Sequence, residues 1–518
     1  MKFKITTFVL ACTALAITAY TAAAQDGSEK DLSYYIANAP FKMTIAEPHF
    51  NNKVFNIQDY GAICDGQTLN TIAIEKAISA CNAAGGGVVQ IPQGLWLTGP
   101  IELQSNVNLH ADRGALIIFT TDHVQYSIAN GKAKLPLSGN NLHNVGITGE
   151  GVYDGGGDTW RPLKKSKAAP TLWGDLVKAG GTVSKDGSMY YPTAENTRPT
   201  MVSVQNSTGV IIDGPTFKNS PQFALNPRNC TDMIIRNVTI NNEYYAQNGD
   251  GIDLSSCKNT AVYHCTVNAG DDGICMKSSG NKGDAATDPA LKNIIIADCI
   301  VYHAHGGFVI GSNTDGGMQN IYVTNCDFVN TDVGIRVKSS RGRGGLVHDV
   351  FVDHIYMRDI LNEAILFNTY YEENGKGSSS GPVAVNSKTP RFQDFHISDI
   401  FCNNAKSAIA ITGLPEMPVN HIYMSDMVIS AKTAFSAVDA ADISLKNVKL
   451  ISLASTLIEL NNAQNITFNS IGFNSNTSIF ISAGGNTKGI KVTDTNLKGL
   501  AEPLKLEKHL DKSTVTIQ

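Results

Sequence analysis

Residues able to perform acid–base chemistry occur in one repeating register between positions 248 and 338. The register is set by a phrase of the form glycine, apolar, variable, apolar, variable, serine, which is typical of a strand with one buried face. The four copies are Gly251-Ile-Asp-Leu-Ser-Ser, Gly273-Ile-Cys-Met-Lys-Ser, Gly307-Phe-Val-Ile-Gly-Ser and Gly334-Ile-Arg-Val-Lys-Ser. Active groups precede the glycines or fill the variable positions: Asp250, Asp271, Asp272, His305, Arg336 and Lys338. A constant frame with such variable positions indicates a scaffold that presents a site.

The register predicts that the acidic residues meet if successive copies stack. Asp271 and His305 both lie two residues before their glycines, and Asp250 and Asp272 lie one residue before theirs. Like charges held together raise at least one pKa, which would keep a carboxyl protonated as a general acid near neutral pH. A second carboxylate at ~6.5–9.5 Å would leave room for a water, the arrangement of an inverting glycosidase.

The two basic residues lie one copy further along. Arg336 and Lys338 predict a positively charged pocket for an anionic substrate, in which arginine can bind a carboxylate with two hydrogen bonds. Each feature alone has a structural explanation, because Asp-Asp before glycine is common in turns and strand charges are often solvated. Their joint occurrence in one register favours a functional site.

An apolar position repeats along the same part of the chain. Its occupants exchange cysteine with valine, isoleucine and methionine: Val238, Cys265, Cys299, Cys326, Ile355, Ile400, Met427, Val448 and Ile471. Because free cysteine behaves as a small hydrophobe, the three cysteines are predicted to form a buried core column and not metal ligands or disulfides. Steps of 21 to 45 residues between members indicate a repeat array.

The repeating unit contains strands and turns but no recurring helix, which excludes helical repeats and leucine-rich horseshoes. Propeller blades of ~40–45 residues are longer than the commonest steps. The predicted fold class is therefore all-β, a right-handed parallel β-helix in which like residues stack about 4.8 Å apart. One helix, from Thr71 to Asn82, has apolar residues on a single face and is predicted to cap the open end of the solenoid.

The domain organisation predicted is a signal peptide at 1–24, a lead-in at 25–50 and one catalytic domain at 51–518. Insertions are expected near 155–199 and 369–392, where they would emerge as loops on the binding face. The aromatic residues of the first insertion allow two interpretations, stacking on sugar rings or packing within the loop itself: Trp160, Trp173, Tyr190 and Tyr191.

Charge and targeting narrow the class of protein. The 41 basic and 46 acidic residues among 518 give a net charge of -5, with no basic excess for nucleic-acid binding. Lys2 and Lys4, the following apolar run and Ala22-Ala23-Ala24 are typical of a secretory signal. No later stretch is apolar for long enough to span a membrane. We expect an exported monomer, periplasmic or extracellular.

Four segments resemble, in order, the signature motifs of the polygalacturonase family of glycoside hydrolases, family 28. The family motifs are Asn-Thr-Asp, Gly-Asp-Asp, Gly-His-Gly and Arg-Ile-Lys. The matching segments are Asn248-Gly-Asp250, Gly270-Asp271-Asp272, Ala304-His305-Gly306 and Ile335-Arg336-Val337-Lys338. The segment from Tyr60 to Gly66 with its helix also resembles the family's N-terminal part, so the resemblance covers roughly Val54 to the C-terminus.

The resemblance implies a parallel β-helix that hydrolyses α-1,4-galacturonosyl bonds of pectin with inversion and without a metal or other cofactor. By motif, Asp271 would be the general acid and His305 would tune it, while Asp250 and Asp272 would hold and deprotonate the water. The residues implied in binding pectic polysaccharide or oligogalacturonide are Asn248, Arg336, Lys338 and Tyr371, with the adjacent Tyr370 as the alternative to Tyr371.

Three departures from the motifs leave the exact substrate open: Gly249 for threonine, Ala304 for glycine and Val337 for isoleucine. None removes a charge. The alternatives are a rhamnogalacturonan or modified-pectin hydrolase on the same scaffold, a β-helical polysaccharide lyase with calcium at the aspartates, and a non-catalytic carbohydrate-binding solenoid. The long insertions favour an exo-acting enzyme if they block one end of the cleft.

Overall fold

The computed structural model describes residues 30–127, 129–193, 197–280, 287–371 and 381–518. The predicted signal peptide lies outside the described residues, as do residues 372–380 of the second insertion. Within the described ranges, no helix combines the length and apolar character needed to cross a membrane.

Three α-helices occur in the described part of the chain: α1 (Leu32–Asn38), α2 (Thr71–Ala83) and α3 (Pro170–Ala179). The α2 helix confirms the predicted one, and its apolar face is fully buried: Ile74, Ala77, Ile78 and Cys81. The other two were not predicted. Asp31 begins α1 by accepting a hydrogen bond from the Tyr34 amide, and α3 begins at a proline, which suits a first helical turn.

Strands make up most of the remaining ordered chain. In chain order they are β1 (Val54–Asn56), β2 (Gly87–Ile91), β3 (Gly94–Thr98), β4 (Ile101–Glu102), β5 (Val107–Ala111), β6 (Ala115–Phe119), β7 (Leu137–Asn140), β8 (His143–Thr148), β9 (Val152–Asp154), β10 (Leu163–Lys164), β11 (Thr182–Val183), β12 (Met189–Tyr191), β13 (Val202–Gln205), β14 (Thr208–Asp213), β15 (Thr216–Lys218), β16 (Thr231–Arg236), β17 (Thr239–Asn241), β18 (Ile252–Ser255), β19 (Lys258–Tyr263), β20 (Thr266–Asn268), β21 (Asp272–Lys277), β22 (Leu291–Ala297), β23 (Ile300–Tyr302), β24 (Gly306–Ile310), β25 (Met318–Val329), β26 (Ile335–Lys338), β27 (Leu346–Asn368), β28 (Arg391–Phe392), β29 (Phe395–Thr412), β30 (Val419–Ser452), β31 (Thr456–Phe473), β32 (Ile479–Gly484), β33 (Ile490–Thr493), β34 (Glu502–Leu506) and β35 (Val515–Ile517).

Apart from β10, β11 and β12, these strands form three parallel sheets, to which each coil contributes one strand. The first sheet runs through β2, β5, β8, β14, β16, β19, β22 and β25. The second runs through β3, β6, β9, β15, β17, β20, β23 and β25. The third runs through β4, β7 and β13, then through bridges at Leu225, to β18, β21, β24, β26 and the end of β27. The architecture confirms the predicted right-handed parallel β-helix.

The interior is a continuous apolar column. Cys265, Cys299 and Cys326 are buried free thiols at equivalent positions of successive coils. Cys326 pairs in register with Ile355, and Ile355 with Ile400. This confirms the predicted core column.

The glycines of the repeated phrase mark a close approach between backbone and core. A Cβ on Gly251 would lie 2.4 Å from Val267, and one on Gly307 would lie 2.3 Å from the Phe328 ring. Both distances are far below an ordinary contact, so the third sheet can lie against the core only where a side chain is missing. Packing therefore explains why glycine recurs in this position.

Candidate active site

The four phrases form four adjacent strands of the third sheet. Ile252 pairs with Ile274, Ile274 with Phe308, and Phe308 with Ile335. Because side chains alternate across a strand, these apolar residues face the core and the variable positions face outward. The predicted register is therefore the one observed, and it places the acidic and basic residues together on the outer face.

The three aspartates converge. One carboxylate oxygen from each of Asp250, Asp271 and Asp272 lies within 4.8 Å of those of the other two. This spacing is shorter than the ~6.5–9.5 Å expected, because Asp271 and Asp272 are consecutive residues and Asp250 comes from the preceding coil, about one strand spacing away. Two oxygens at this distance can still share one water, since a hydrogen bond to each measures about 2.8 Å.

Asp272 is held between two cations. Its carboxylate accepts hydrogen bonds from Lys338 Nζ at 2.7 Å and from Arg336 Nη1 at 3.2 Å. Burial of Asp272 favours its neutral form, but the charges of Lys338, Arg336 and Lys277 outweigh this and lower its pKa. Asp272 is therefore an ionised carboxylate in the folded protein.

Asp250 lies in a different electrostatic environment. Lys277 Nζ donates to Asp250 Oδ2 at 3.2 Å and to Asp253 Oδ1 at 3.0 Å. Burial and the neighbouring Asp253 carboxylate raise the pKa of Asp250 well above its ordinary value, although Lys277 opposes them. The expected raised pKa thus occurs on a residue predicted to act on the water.

Asp271 and His305 lie side by side at the edge of this cluster. His305 Nδ1 is 3.0 Å from Asp271 Oδ1, and its Nε2 is 3.7 Å from Asp332 Oδ2. Asp332 stands two residues before Gly334, the position that Asp271 and His305 occupy in their own copies. The imidazole is therefore flanked by carboxylates from the coils on either side.

Tyr371, and not Tyr370, contacts the predicted substrate-binding cations. The Tyr371 ring lies 4.8 Å from Lys338 Nζ and 5.6 Å from Arg336 Cζ. Tyr370 is buried against Arg341 instead. Of the two tyrosines, only Tyr371 lies where it can line the cleft beside Arg336 and Lys338.

Asn248 is fixed by the first insertion. Arg198, near the end of that insertion, donates to Asn248 Oδ1 at 2.6 Å and to the Gln247 carbonyl at 2.5 Å. Arg161, near its start, is buried and donates to Glu243 at 2.8 Å. The insertion is thus clamped at both ends to the turn that leads into Asp250.

The insertion has a structure of its own. It contains α3 and a small antiparallel sheet in which β12 lies between β10 and β11. Trp160 is buried and stacks on His123, and Tyr190 is also buried. Packing within the protein therefore accounts for these two aromatic residues, whereas Trp173 and Tyr191 keep partial exposure.

The motif departures fit their surroundings. A Cβ on Gly249 would lie 2.7 Å from that of Ala246, so the threonine of the family motif has no room here. Ala304 and Val337 are buried in the core, away from the charged groups. The departures therefore leave the charged constellation intact.

Sequence reasoning missed three charged residues of the site. Asp253 and Lys277 lie at variable positions of the first and second phrases, and Asp332 lies at the position shared by Asp271 and His305. The rule that selected Arg336 and Lys338 would have selected the first two, had it been applied to every copy.

The arrangement suits acid–base hydrolysis of a glycoside. It combines several carboxylates in distinct environments with cations that could hold an anionic sugar. The calcium expected of a lyase would need the same aspartate oxygens, but Lys338, Arg336 and Lys277 already contact two of the three aspartates. The fold and site thus define a β-helical glycoside hydrolase.

Comparison with known proteins agrees. Residues 81–439 match the family Glycosyl hydrolases family 28. The chain is 27% identical over 438 residues to an exo-poly-alpha-D-galacturonosidase of Dickeya chrysanthemi, covering 78% of this chain and 72% of the relative. It is 26% identical over 356 residues to an endo-polygalacturonase of Pectobacterium carotovorum subsp. carotovorum, covering 66% and 80%.

A solved structure extends the likeness to three dimensions. The exopolygalacturonase of Thermotoga maritima superposes with a TM-score of 0.66 at 26% identity, covering 84% of this chain and 94% of that one. Since the family match spans more than half of the sequence, the chain belongs to glycosyl hydrolases family 28.

Proposed function

We propose that this protein hydrolyses α-1,4-galacturonosyl linkages of pectin or polygalacturonate by single displacement with inversion. The observation that carries the proposal is the convergence of Asp250, Asp271 and Asp272 beside Arg336 and Lys338. Carboxylates supply the acid and base, and the cations match a substrate that carries one carboxylate per sugar. The relatives named above support the pectic substrate.

Asp271 donates a proton to the glycosidic oxygen as the bond breaks. Its neighbour His305, 3.0 Å away, orients the carboxyl and responds to its change of charge. Asp332 on the other side of the imidazole fixes the ring.

Asp250 and Asp272 hold the attacking water between them. Asp272, ionised by its contacts with Lys338 and Arg336, orients the water, while Asp250 accepts its proton. A base is most effective when its pKa lies near the working pH, and burial raises the pKa of Asp250 in that direction.

Arg336, Lys338 and Tyr371 bind the galacturonate carboxylate at the scissile bond. Fully methyl-esterified polygalacturonate has lost that charge and should be hydrolysed much more slowly than the free acid. Release of reducing ends from the two polymers at equal sugar concentration measures the difference, and equal rates would contradict this role for the basic pair.

The position of the first insertion supports exo action. Its clamps at Arg161 and Arg198 hold it against the turn before Asp250, where it would close the cleft on the side of the earlier coils. Two of the similar proteins named above are described as exo-acting, and one as endo-acting.

The decisive experiment is a timed digestion of polygalacturonate and of rhamnogalacturonan with product sizes measured throughout. Exo hydrolysis predicts mono- or digalacturonate from the earliest samples and no long oligomers. Early long oligomers would contradict exo action, and cleavage of rhamnogalacturonan alone would move the substrate assignment. Products absorbing in the ultraviolet and lost with chelator would indicate a lyase.

Proton NMR of the first products tests the stereochemistry. Inversion of an α-linkage gives the β-anomer first, whereas initial α-anomer would make an aspartate the nucleophile of a retaining reaction. Export through residues 1–24 and a monomeric state complete the proposal, and N-terminal sequencing and light scattering of the secreted protein test them.

A further inference from the structure

Lys277 lies between two buried carboxylates on the floor of the cleft. Its ammonium is 3.2 Å from Asp250 Oδ2 and 3.0 Å from Asp253 Oδ1. Asp253 is completely buried, and Asp250 is only 3% exposed. No assigned step of the reaction uses Asp253 or Lys277. Lys277 nevertheless contacts the proposed base, Asp250, and Asp253 contacts Lys277.

The third sheet positions both residues. Asp253 on β18 pairs in register with Cys275 on β21, and Lys277 stands two residues further along β21. Lys277 Nζ also lies 3.1 Å from Cys275 Sγ and 5.2 Å from the centre of the Phe223 ring. Burial raises the pKa of Cys275, so it remains a neutral thiol and does not balance the lysine charge.

The group carries an unbalanced charge. One ammonium faces two carboxylates, and among the described residues neither Asp250 Oδ1 nor Asp253 Oδ2 has a hydrogen-bond partner. Burial raises the pKa of Asp253 as well, so Asp250 and Asp253 together can hold one proton. The other charged groups that face Asp250 come from the insertion, the adjacent turn and β21: Arg198, Asp271 and Asp272.

We propose that Lys277 and Asp253 tune the charge of Asp250 in opposite directions. The ammonium stabilises Asp250 as a carboxylate, and the neighbouring carboxylate favours its protonated form. Together they set the pH above which Asp250 can take a proton from water, a role that rests on the proposed function of Asp250 as the base. Both are positioning residues, because they act on the reaction through Asp250.

The test compares the pH dependence of kcat/KM on polygalacturonate for wild type, Lys277→Met and Asp253→Asn. Loss of the ammonium raises the pKa of Asp250, so the acid limb of the Lys277→Met profile should move to higher pH. Loss of the carboxylate charge lowers that pKa, so the limb of Asp253→Asn should move to lower pH. A shift of one pH unit changes the rate on the limb about tenfold.

Three variants serve as controls. Lys258→Met removes a lysine from β19, a strand of the first sheet, where it pairs with exposed Asp288 at 2.7 Å, and should leave the profile unchanged. Lys277→Arg keeps the charge and should restore the wild-type limb. The double variant Lys277→Met, Asp253→Asn should lie between the single ones, and thermal unfolding of each confirms that it is folded.

The inference would be overturned if the acid limbs of Lys277→Met and Asp253→Asn moved in the same direction, or if neither moved, while the wild type remained active. Absence of wild-type activity on polygalacturonate at every pH would overturn the proposed function instead. If Lys277→Met does not fold, Asp253→Asn and Lys277→Arg decide the outcome, because an unmoved limb in Asp253→Asn is sufficient to reject the proposal.

Discussion

Two stacks of buried side chains run through the same coils, one made of charged residues and the other of apolar ones. One is the cleft stack, in which Asp272 contacts Lys338 from the coil after next at 2.7 Å. The other is the core column of Cys265, Cys299 and Cys326. Asp272 and Lys338 are buried, as the three cysteines are, so burial alone does not distinguish a site from a core.

The difference is the supply of partners. In the cleft stack Asp250 and Asp272 each contact a lysine from another coil, which is what makes their burial tolerable. In the core column the neighbouring residues are apolar, and cysteine serves there as a small hydrophobe. The position of a residue on the coil therefore decides whether its stack forms part of the site or part of the hydrophobic core.

The largest effect should come from removing the acid of the cleft. Asp271→Asn keeps the shape of the side chain but cannot donate a carboxylic proton, so kcat should fall about 10²–10⁴-fold. Reducing-end assays on polygalacturonate measure the loss, with thermal unfolding as the control. A variant that keeps most of its activity would remove Asp271 from the mechanism.

The next test removes a partner from a buried charge. Lys338→Met leaves Arg336 as a hydrogen-bond donor to Asp272 but removes the shorter of its two ion pairs. Breaking such a buried pair destabilises proteins by about 3–5 kcal/mol. Because the contact lowers the pKa of Asp272, its stabilisation is present above the unfolded value of 3.8 and is lost as the pH falls below it. The free energies of unfolding of variant and wild type, from urea titrations at pH 7 and pH 3, should therefore differ less at pH 3. An equal difference in free energy of unfolding at both pH values would show that Lys338 stabilises the protein by packing and not by its charge.

The smallest effect should come from the core column. Cys299→Val places there a residue that other coils already use, as at Val238 and Val448. The free energy of unfolding should change by less than about 1.5 kcal/mol, and the reaction rate should not change. Loss of activity in this variant would show that the two stacks are coupled and do not have separate roles.

The sequence was sufficient for the register but not for every partner. Glycine in each phrase reports a close contact with the core, and that contact fixes which residues stack, so Asp250, Asp271 and Asp272 could be brought together in advance. Strand alternation shows that Asp253 and Lys277 face outward, but it does not show that they are buried there. Their burial depends on which side chains of adjacent coils meet.

The insertion was less predictable for a related reason. Its position followed from the broken period, but α3 and the antiparallel sheet carry no repeat against which they could be aligned. Arg161 and Arg198 secure it by reaching residues 82 and 50 positions further along the chain. Contacts of that kind leave no local pattern in the sequence.

The unpaired state of the cysteines has a practical consequence. All nine described cysteines are free thiols, and only Cys64 among them is exposed. Reductant should therefore leave the fold unaffected, and a maleimide dye should attach to the folded chain, expressed without residues 1–24, at Cys64 alone. One fluorophore at a known place would allow single molecules to be followed along a polysaccharide without further engineering.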